Sequence, residues 1–361
     1  MLDTVTATST VTSTSTATVA IAATATATVT ATATVTVAMA VYDPNPDWLA
    51  AQLRSIAAQT YRPIEVIAID DASPGVPFER IGEIFASCLP GIPYDLARNP
   101  ANIGSDRTFE ALTERAEGQY ISYCDQDDIW RQTKTEKLAA LIESAGAELA
   151  YCDLSVIDGD GVMVASSLVD TRRRLKHLSG AGLAATLLFR NFTNGTAMLM
   201  RTSLAKSAIP FVRGMVADHW LTLWASLRGE IAYSPEPLVE YRLHGKNQSA
   251  VMAGVSGKAT YFERRIAPGS LRFRAFSERI SEPVKRGLIK DEPSLPGLID
   301  DGNAWFEARE TWFRNGTFSA AKEMWRLRRL GRSVTAFELF CAKAPEPVFR
   351  AAVRLVQKGL L

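Results

Sequence analysis

The sequence is poor in the residues that build metal clusters and disulfide frameworks. Its four cysteines lie far apart, and no two of them form a Cys-x-x-Cys pair. Its three histidines show no helical metal-pair spacing. The cysteines are Cys88, Cys124, Cys152 and Cys341, and the histidines are His177, His219 and His244. Neither a zinc site nor a disulfide framework is predicted, and a reducing cytoplasm fits this composition.

An excess of either charge is also lacking. Lys and Arg number 40 against 39 Asp and Glu, for a formal net charge of +1. A nucleic-acid-binding protein that relies on bulk electrostatics needs a basic excess, so this class is excluded. The 361 residues allow one large or two ordinary domains with a substantial core.

Charge is absent between Asp3 and Asp43, where residues 4–34 are almost only Thr, Ala, Val and Ser. A membrane span needs about 20 predominantly apolar residues, whereas here every second or third is Thr or Ser. The basic segment that opens a secretory signal is missing as well. We interpret residues 1–34 as a low-complexity extension, with a weak membrane anchor as the alternative.

Strands and helices alternate regularly after this tract. Short apolar strands are predicted at 35–41, 64–69, 93–98 and 120–124, and helices at 48–58, 77–88 and 108–116. The order β-α-β-α-β-α-β predicts a doubly wound, mostly parallel α/β sheet. Ligands of such sheets bind beyond the carboxyl ends of the strands. The residues at these ends are Tyr42, Asp70, Asp71, Asn102 and Asp125 to Asp128.

Three carboxylates crowd the end of the fourth strand, in Asp125-Gln126-Asp127-Asp128. Carboxylates repel one another and resist leaving water, so a cation among them would be stabilising. Mg²⁺ and Mn²⁺ take oxygen ligands and keep positions open for phosphate. The cluster predicts a metal–diphosphate site. The alternative is a turn in which Asp128 caps a helix.

The later part of the chain supplies fewer signals. A helix is predicted at 134–144, a hairpin around 158–161, a helix that opens at Ala217-Asp218, and short strands at 231–234 and 238–242. From about residue 251 the chain is predicted to be helical and basic. Its amphipathic segments, Phe306–Leu330 and Val348–Leu361, either pack on their own domain or lie on an anionic membrane.

Together these segments resemble a family 2 glycosyltransferase with a GT-A fold, and most of all the rhamnosyltransferase-like members that act in bacterial polysaccharide synthesis. The resemblance covers about residues 35–250 and leaves 251–361 as a helical, basic C-terminal region. It rests on motifs that occur in the family's order. They include Gln52-Leu-Arg-Ser-Ile-Ala-Ala-Gln-Thr-Tyr61, Ile69-Asp-Asp71-Ala-Ser73, Asn102-Ile-Gly104, Asp125-Gln-Asp-Asp-Ile-Trp130, Asp218-His-Trp220 and Tyr241-Arg-Leu-His244.

The resemblance implies a site for a nucleoside-diphosphate sugar. Tyr42 would stack on the base, and Asp71 would accept a hydrogen bond from it. Asn102 or Arg107 would line the base and the sugar, and Asp125 would hold donor hydroxyls. Simpler alternatives are a half-buried turn aromatic for Tyr42, an Asx-turn before Ser73-Pro74 for Asp71, and loop capping for Asn102.

The remaining roles concern the leaving group and the acceptor. Asp127 and His244 would ligate Mg²⁺ or Mn²⁺, and Arg242 would grip the diphosphate. Asp218 would be the catalytic base that takes the proton of the acceptor hydroxyl. The alternatives are a loop histidine bonded to a backbone carbonyl for His244, a structural ion pair for Arg242, and a helix N-cap for Asp218.

The function implied by this resemblance is inverting sugar transfer from a nucleoside-diphosphate sugar to a glycan or lipid-linked saccharide, in cell-envelope polysaccharide synthesis. We expect a cytoplasmic protein, at the inner face of the plasma membrane if the C-terminal region contacts lipid. The alternatives are a nucleotidyltransferase that forms nucleotide sugars and a non-catalytic protein that binds them. A nucleotidyltransferase would want a Gly-rich basic loop after the first strand, which Tyr42-Asp-Pro-Asn-Pro46 is not.

Overall fold

The computed structural model describes residues 34–171, 175–244, 254–285 and 294–357. Apart from Thr34, the Thr/Ala/Val tract lies outside the described residues, and so does the predicted loop that follows His244. The domain boundaries at 34/35 and 250/251 therefore stay predictions.

The described residues form a mixed sheet of nine strands. In chain order the strands are β1 Val35–Val41, β2 Ile64–Asp70, β3 Tyr94–Arg98, β4 Tyr120–Cys124, β5 Ile129–Trp130, β6 Leu149–Ile157, β7 Met163–Ala165, β8 Met198–Arg201 and β9 Ile231–Arg242. Strands lie beside one another in the order β3-β2-β1-β4-β8-β6-β9-β5, and β7 pairs with β6. The predicted strands 231–234 and 238–242 are one strand, since β9 runs through Pro235 and Pro237 with a shift of register opposite Asp153.

The helices occupy the connections of the sheet and the C-terminal region. They are α1 Pro46–Ala57, α2 Phe78–Cys88, α3 Ser105–Arg115, α4 Lys134–Ala145, α5 Leu168–Thr171, α6 Ala184–Leu187, α7 Thr202–Ser207, α8 Ala217–Ser226, α9 Lys258–Tyr261, α10 Ala267–Lys285, α11 Leu295–Asn315, α12 Phe318–Arg326, α13 Arg332–Cys341 and α14 Glu346–Gln357. Asn45 caps α1 by accepting from the backbone N–H groups of Asp47 and Trp48, because its extended backbone aims the side chain at them.

The direction of the strands decides where the polar ends meet. β1 is parallel to β2 and to β4, as the alternating pattern predicts. β8 is antiparallel to both β4 and β6, and β9 is parallel to β6. Two reversals restore the original direction, so β6 and β9 end at the same edge of the sheet as β1, β2 and β4. Residues far apart in sequence, such as Tyr42, Asp125 and Arg242, are thereby brought to one edge.

Side chains alternate between the two faces of β1, as a strand requires. Val37 and Met39 pack with Leu53, on the face covered by α1, α2 and α4. Ala38 packs on the opposite face, where the cores of α3 and α8 also lie. Both faces of the central strands are buried. Strands that are buried on both faces have continuous apolar runs in their sequence, as these strands do.

The register between β1 and β4 depends on Gly118, so we expect Gly118→Ala to lower the free energy of unfolding by about 2 to 3 kcal/mol. An added Cβ would lie 2.7 Å from the Thr34 carbonyl oxygen and 2.8 Å from the Thr36 backbone nitrogen. Neither backbone atom can move without displacing β1. Urea unfolding would measure the loss.

Gly82→Ala is the matched control for this substitution. Gly82 lies in the interior of α2, and an added Cβ would meet nothing within 4 Å. Because alanine favours helix over glycine by about 1 kcal/mol, this variant should be slightly more stable than the wild type. Equal unfolding midpoints for the two variants would contradict our account of Gly118.

The C-terminal helices pack in two ways. α10 and α11 extend the second face of the sheet, where Phe273, Phe276 and Ile299 join the core. α9, α13 and α14 form a smaller core of their own around Tyr261 and Phe349. In the described part of the chain, we find no helix whose length and apolar character would let it cross a lipid bilayer.

Candidate active site

The end of β1 is tied to the carboxylate loop by one side chain. Gln126 accepts a hydrogen bond from the Tyr42 backbone N–H at 2.8 Å and donates one to the Tyr42 carbonyl at 3.0 Å. This pair of bonds fixes the turn after β1 beside the end of β4. The Tyr42 ring is left 47% exposed, so its face is available to a planar ligand.

Asp71 is buried at the end of β2 and organises the next loop. Its carboxylate accepts hydrogen bonds from the Asn99 side chain at 2.8 Å and from the backbone N–H groups of Ile103 and Gly104 at 2.9 Å. These bonds hold Asn102 between them, exposed at the entry to α3, and Arg107 is exposed on the first turn of that helix. The Asx-turn alternative for Asp71 is wrong, because Asp70 makes the turn by accepting from the N–H and hydroxyl of Ser73.

Asp127 and His244 meet although 117 positions separate them in sequence. The His244 Nε2 lies 2.8 Å from a carboxylate oxygen of Asp127, and both side chains are partly exposed. The partner of His244 in this contact is a carboxylate, not the backbone carbonyl of the alternative interpretation. The Trp48 ring packs against the His244 imidazole, with the two ring centroids 4.9 Å apart.

Arg242 lies beneath this pair and is almost fully buried. Its Nε donates to the Asp127 carbonyl at 2.9 Å, and its guanidinium also donates to the carbonyls of Asp158 and Gly159 at 3.0 and 3.2 Å. The planar group stands 5.2 Å from the centre of the Trp48 ring. In this arrangement Arg242 fixes the backbone of the Asp125–Asp128 loop to the β6–β7 hairpin.

Asp128 does not cap a helix, and that interpretation is wrong. The strand β5 follows it directly, and α4 begins only at Lys134. The buried Asp128 carboxylate accepts from the Arg242 backbone N–H at 3.0 Å, which joins the loop to the end of β9. Burial, with Asp125 and Asp127 close by, raises the pKa of Asp128 well above its usual value.

A buried cation lies behind the cluster. The Lys134 Nζ donates to the Ser122 hydroxyl at 2.8 Å and stands 3.3 Å from the centre of the Trp130 ring. Burial lowers the pKa of Lys134 to about 8, against the opposing pull of neighbours that include Asp128. A charged lysine here offsets part of the repulsion among the carboxylates.

Asp218 faces the cluster from the first turn of α8. Its carboxylate accepts from the Asn191 side chain and from the Gly195 backbone N–H, both at 3.2 Å. The N-cap position belongs to Val216, so the N-cap alternative for Asp218 is wrong. Two donors from one loop hold the carboxylate in a fixed orientation, which a general base requires.

The carboxyls of Asp125 and Asp218 hold protons more tightly than ordinary aspartates. Burial, followed by the charges of Asp127 and Asp218, raises the pKa of Asp125 to about 7. Burial likewise raises the pKa of Asp218 to about 6. The folded chain therefore binds more protons than the unfolded chain between about pH 4 and pH 7, so these carboxyls make the metal-free protein less stable as the pH rises through that range.

The Asp127 and His244 side chains suit a divalent cation that has phosphate and water as its other ligands. In the described residues no three His, Cys, Asp or Glu side chains form a ready metal cluster. Asp127 and His244 supply two adjacent donor atoms. The partly buried Asp125 carboxyl lies near them, and burial, with the charge of Asp127 adding to it, raises its pKa. Mg²⁺ and Mn²⁺ commonly take one or two protein ligands and complete their shell with phosphate and water.

Three supporting residues are not predicted by the sequence patterns. Gln126 lies inside the acidic motif, and only its place between two acids could have drawn attention to it. In the sequence, Trp48 looks like the first apolar residue of a helix, and Asn191 looks like an ordinary loop residue. Each acts by packing or hydrogen bonding to a residue more than 20 positions away, which no local pattern encodes.

Comparison with known proteins finds a family model that matches the part of the chain from β1 to β8. Residues 36–205, slightly under half of the chain, match the family model for glycosyl transferase family 2. This segment is similar to family 2 of the glycosyltransferases. The family's match spans β1 through β8, and so includes Tyr42, Asp71 and the Asp125–Asp128 loop.

Two relatives illustrate the resemblance in sequence. An uncharacterized protein of Mycobacterium tuberculosis is 29% identical over 202 residues, which cover 55% of this chain and 56% of that protein. The UDP-Glc:alpha-D-GlcNAc-diphosphoundecaprenol beta-1,3-glucosyltransferase WfaP of Escherichia coli is 25% identical over 206 residues, covering 56% of this chain and 75% of that enzyme. The chain thus spans little more than half of the length of the mycobacterial relative.

The solved structure of Staphylococcus aureus TarS 1–349 in complex with UDP-GlcNAc shows the same fold. It matches with a TM-score of 0.54 at 15% identity, over 90% of this chain and 92% of that one. The predicted GT-A fold followed by a helical C-terminal region is therefore confirmed.

Proposed function

We propose that the protein is a metal-dependent, inverting glycosyltransferase that moves a sugar from a nucleoside-diphosphate donor to a glycan or lipid-linked saccharide of the cell envelope. In this proposal residues 35–250 form the catalytic domain and residues 251–361 a helical addition, in a protein of the cytoplasm. The observation that carries the proposal is the convergence of Asp125, Asp127, His244 and Asp218 at one edge of the sheet.

The donor would lie across the ends of β1, β2 and β4. Tyr42 would stack on the base, the loop held by Asp71 would line the base and ribose with Asn102 and Arg107, and Asp125 would hold donor hydroxyls. Support comes from the exposed Tyr42 ring and from the rigid loop between β3 and α3. The E. coli relative is named for a UDP-sugar donor and a lipid diphosphate acceptor, which makes those classes the first to test.

The chemistry would be a single in-line displacement. The acceptor oxygen forms a bond to the anomeric carbon, its proton passes to the Asp218 carboxylate, and the bond from that carbon to the diphosphate oxygen breaks with its electron pair. Asp127 and His244 would hold a divalent cation, which would offset the negative charge of the departing diphosphate. A base with a pKa of about 6 is ionised at neutral pH and still able to accept a proton. Arg242 would keep Asp127 in place through its backbone, rather than grip the diphosphate as the family resemblance implies.

Donor binding can be tested without knowing the acceptor. We expect at least one of UDP, dTDP or GDP, or a sugar of that nucleotide, to raise the melting temperature by several degrees with Mn²⁺ and by much less with EDTA. A rhamnose donor belongs in the panel, because the sequence motifs predict a rhamnosyltransferase-like enzyme. If no diphosphate binds in a metal-dependent way, the proposal fails.

The same measurement should depend on pH. At pH 8 the Asp125 carboxyl is ionised, whereas near pH 6 it is largely protonated, because its pKa is about 7. Protons then compete with the cation for the negative charge of the cluster. The stabilisation by Mn²⁺ and diphosphate should therefore be larger at pH 8 than at pH 6, and the reverse order would contradict the assignment of the metal to this cluster.

A further inference from the structure

Helices α12, α13 and α14 expose apolar side chains that a water-soluble surface usually hides. Phe318 is 84% exposed, Phe340 74% and Trp325 58%, the three highest values among the aromatic side chains of the described ranges. Val348 and Leu355 of α14 are exposed as well. Apolar side chains grouped in this way mark a surface that another body covers.

The apolar residues follow the helical period. Phe318 and Trp325 are seven positions apart on α12, so they project from one side of that helix while Met324 points inward. Val348 and Leu355 have the same spacing on α14 and project from a different side of that helix than the buried Phe349 and Val353. Each helix therefore has one face in the core and a second, smaller apolar face in water.

Two of the helices are joined at the aromatic end of this surface. The Lys343 side chain, just after α13, lies directly over Gly316, just before α12. Phe318 and Phe340 are each within three positions of that contact. We call the exposed side chains of residues 316–357 on α12–α14 the basic apolar face.

The basic apolar face has an excess of positive charge. Residues 316–357 contain eight Lys and Arg against three Asp and Glu, whereas residues 1–315 contain 31 against 36. The three acids are already engaged, since Glu338 is buried against Arg309, Glu323 pairs with Arg326, and Glu346 pairs with Arg350. The exposed basic residues include Lys322, Arg328, Arg332 and Lys343, whereas Arg329 pairs with Asp301.

We propose that the basic apolar face docks on the surface of an anionic lipid bilayer. Phe318 and Trp325 would enter the boundary between headgroups and acyl chains, and the lysines and arginines would meet lipid phosphates. The Arg328 guanidinium lies 4.5 Å from the centre of the Trp325 ring. An apolar ring beside a cationic group is an arrangement that a membrane interface favours.

The composition of the face separates a bilayer from two other occupants. A second copy of the chain would bring two positive faces together, which repel each other. Single-stranded nucleic acid stacks its bases on aromatic rings, yet Val348 and Leu355 offer no such ring. Lipid accepts aromatic and aliphatic side chains alike. The proposal is independent of the reaction at the sheet edge.

Vesicle flotation of the full chain tests it. At low salt we expect the protein to float with vesicles of phosphatidylcholine and about 30% phosphatidylglycerol, and to stay at the bottom with phosphatidylcholine alone. The double variant Phe318→Ala/Trp325→Ala should bind at least about tenfold more weakly. Lys322→Gln should weaken binding about fivefold, and about 0.5 M NaCl should weaken it further.

Val162→Ala/Val164→Ala is the matched control, because these valines are 61% and 58% exposed on the β6–β7 hairpin. That variant should float like the wild type. Circular dichroism and metal-dependent diphosphate binding should be unchanged in every variant, so a failed lipid experiment would leave the proposed sugar transfer standing.

Three results would overturn the proposal. The first is a wild type that does not float with anionic vesicles. The second is a dimer in light scattering that Phe318→Ala/Trp325→Ala dissociates, which would assign the face to a second copy. The third is binding of a single-stranded oligonucleotide that the same variant abolishes while flotation is unchanged.

Discussion

Asp127→Asn is expected to reduce donor turnover, measured as release of nucleoside diphosphate, by a factor of about 1,000. The asparagine keeps the shape of the side chain but removes the negative charge that would hold the cation beside His244. Losing that stabilisation of the departing diphosphate costs about 4 kcal/mol in the transition state. Calorimetry should also show that diphosphate binding no longer responds to Mn²⁺.

Asp47→Asn is the control for the loss of one carboxylate. Asp47 is exposed on the first turn of α1 and lies outside the acidic loop. Its neutralisation should change turnover by less than about twofold, as for an ordinary surface substitution. A version of the protein with Asp127→Asn that still shows Mn²⁺-dependent binding and turnover would remove Asp127 from the metal site.

Asp218→Asn should have the second large effect, a loss of about 100- to 10,000-fold in turnover with little change in diphosphate binding. The amide oxygen can still accept one hydrogen bond from Asn191 or Gly195, so the local structure should persist. The substitution removes only the ability to take a proton. Single-turnover measurements with saturating donor would separate this defect from weakened binding.

The pH dependence gives an independent readout of the same residue. At saturating donor and Mn²⁺, where protonation of Asp125 does not limit binding, turnover of the wild type should fall as the pH is lowered through 6, because burial raises the pKa of Asp218 to about 6. The residual activity of Asp218→Asn should lack that fall. Asp106→Asn is the control variant and should keep the fall in turnover near pH 6. The Asp106 carboxylate also lies near α8, where it accepts a hydrogen bond from the Ala217 backbone N–H. An unchanged acid limb in Asp218→Asn would assign the base to another group.

The sequence was informative where the chemistry is local. The strand β1 was predicted with its observed bounds, because seven apolar or small residues between a polar tract and a turn leave little choice. The four parallel strands β1 to β4 followed from their alternation with helices, and the strand ends gave Tyr42, Asp71 and Asp125. The alternative of a helix cap at Asp128 is wrong, and the sequence does not reveal this because a carboxylate before Ile129-Trp130 looks the same whether a helix or a strand follows.

By itself, the sequence determined the α/β alternation, the acidic loop at the end of β4 and the candidate donor residues beside it. Only the tertiary structure decided which of these residues meet. The strand β8 is antiparallel to both β4 and β6, so β9, which is parallel to β6, ends at the same edge of the sheet as β4 and brings Arg242 and His244 to the acidic loop. The reason is physical, since strand pairing joins segments far apart along the chain, whereas periodicity and capping report only on neighbours.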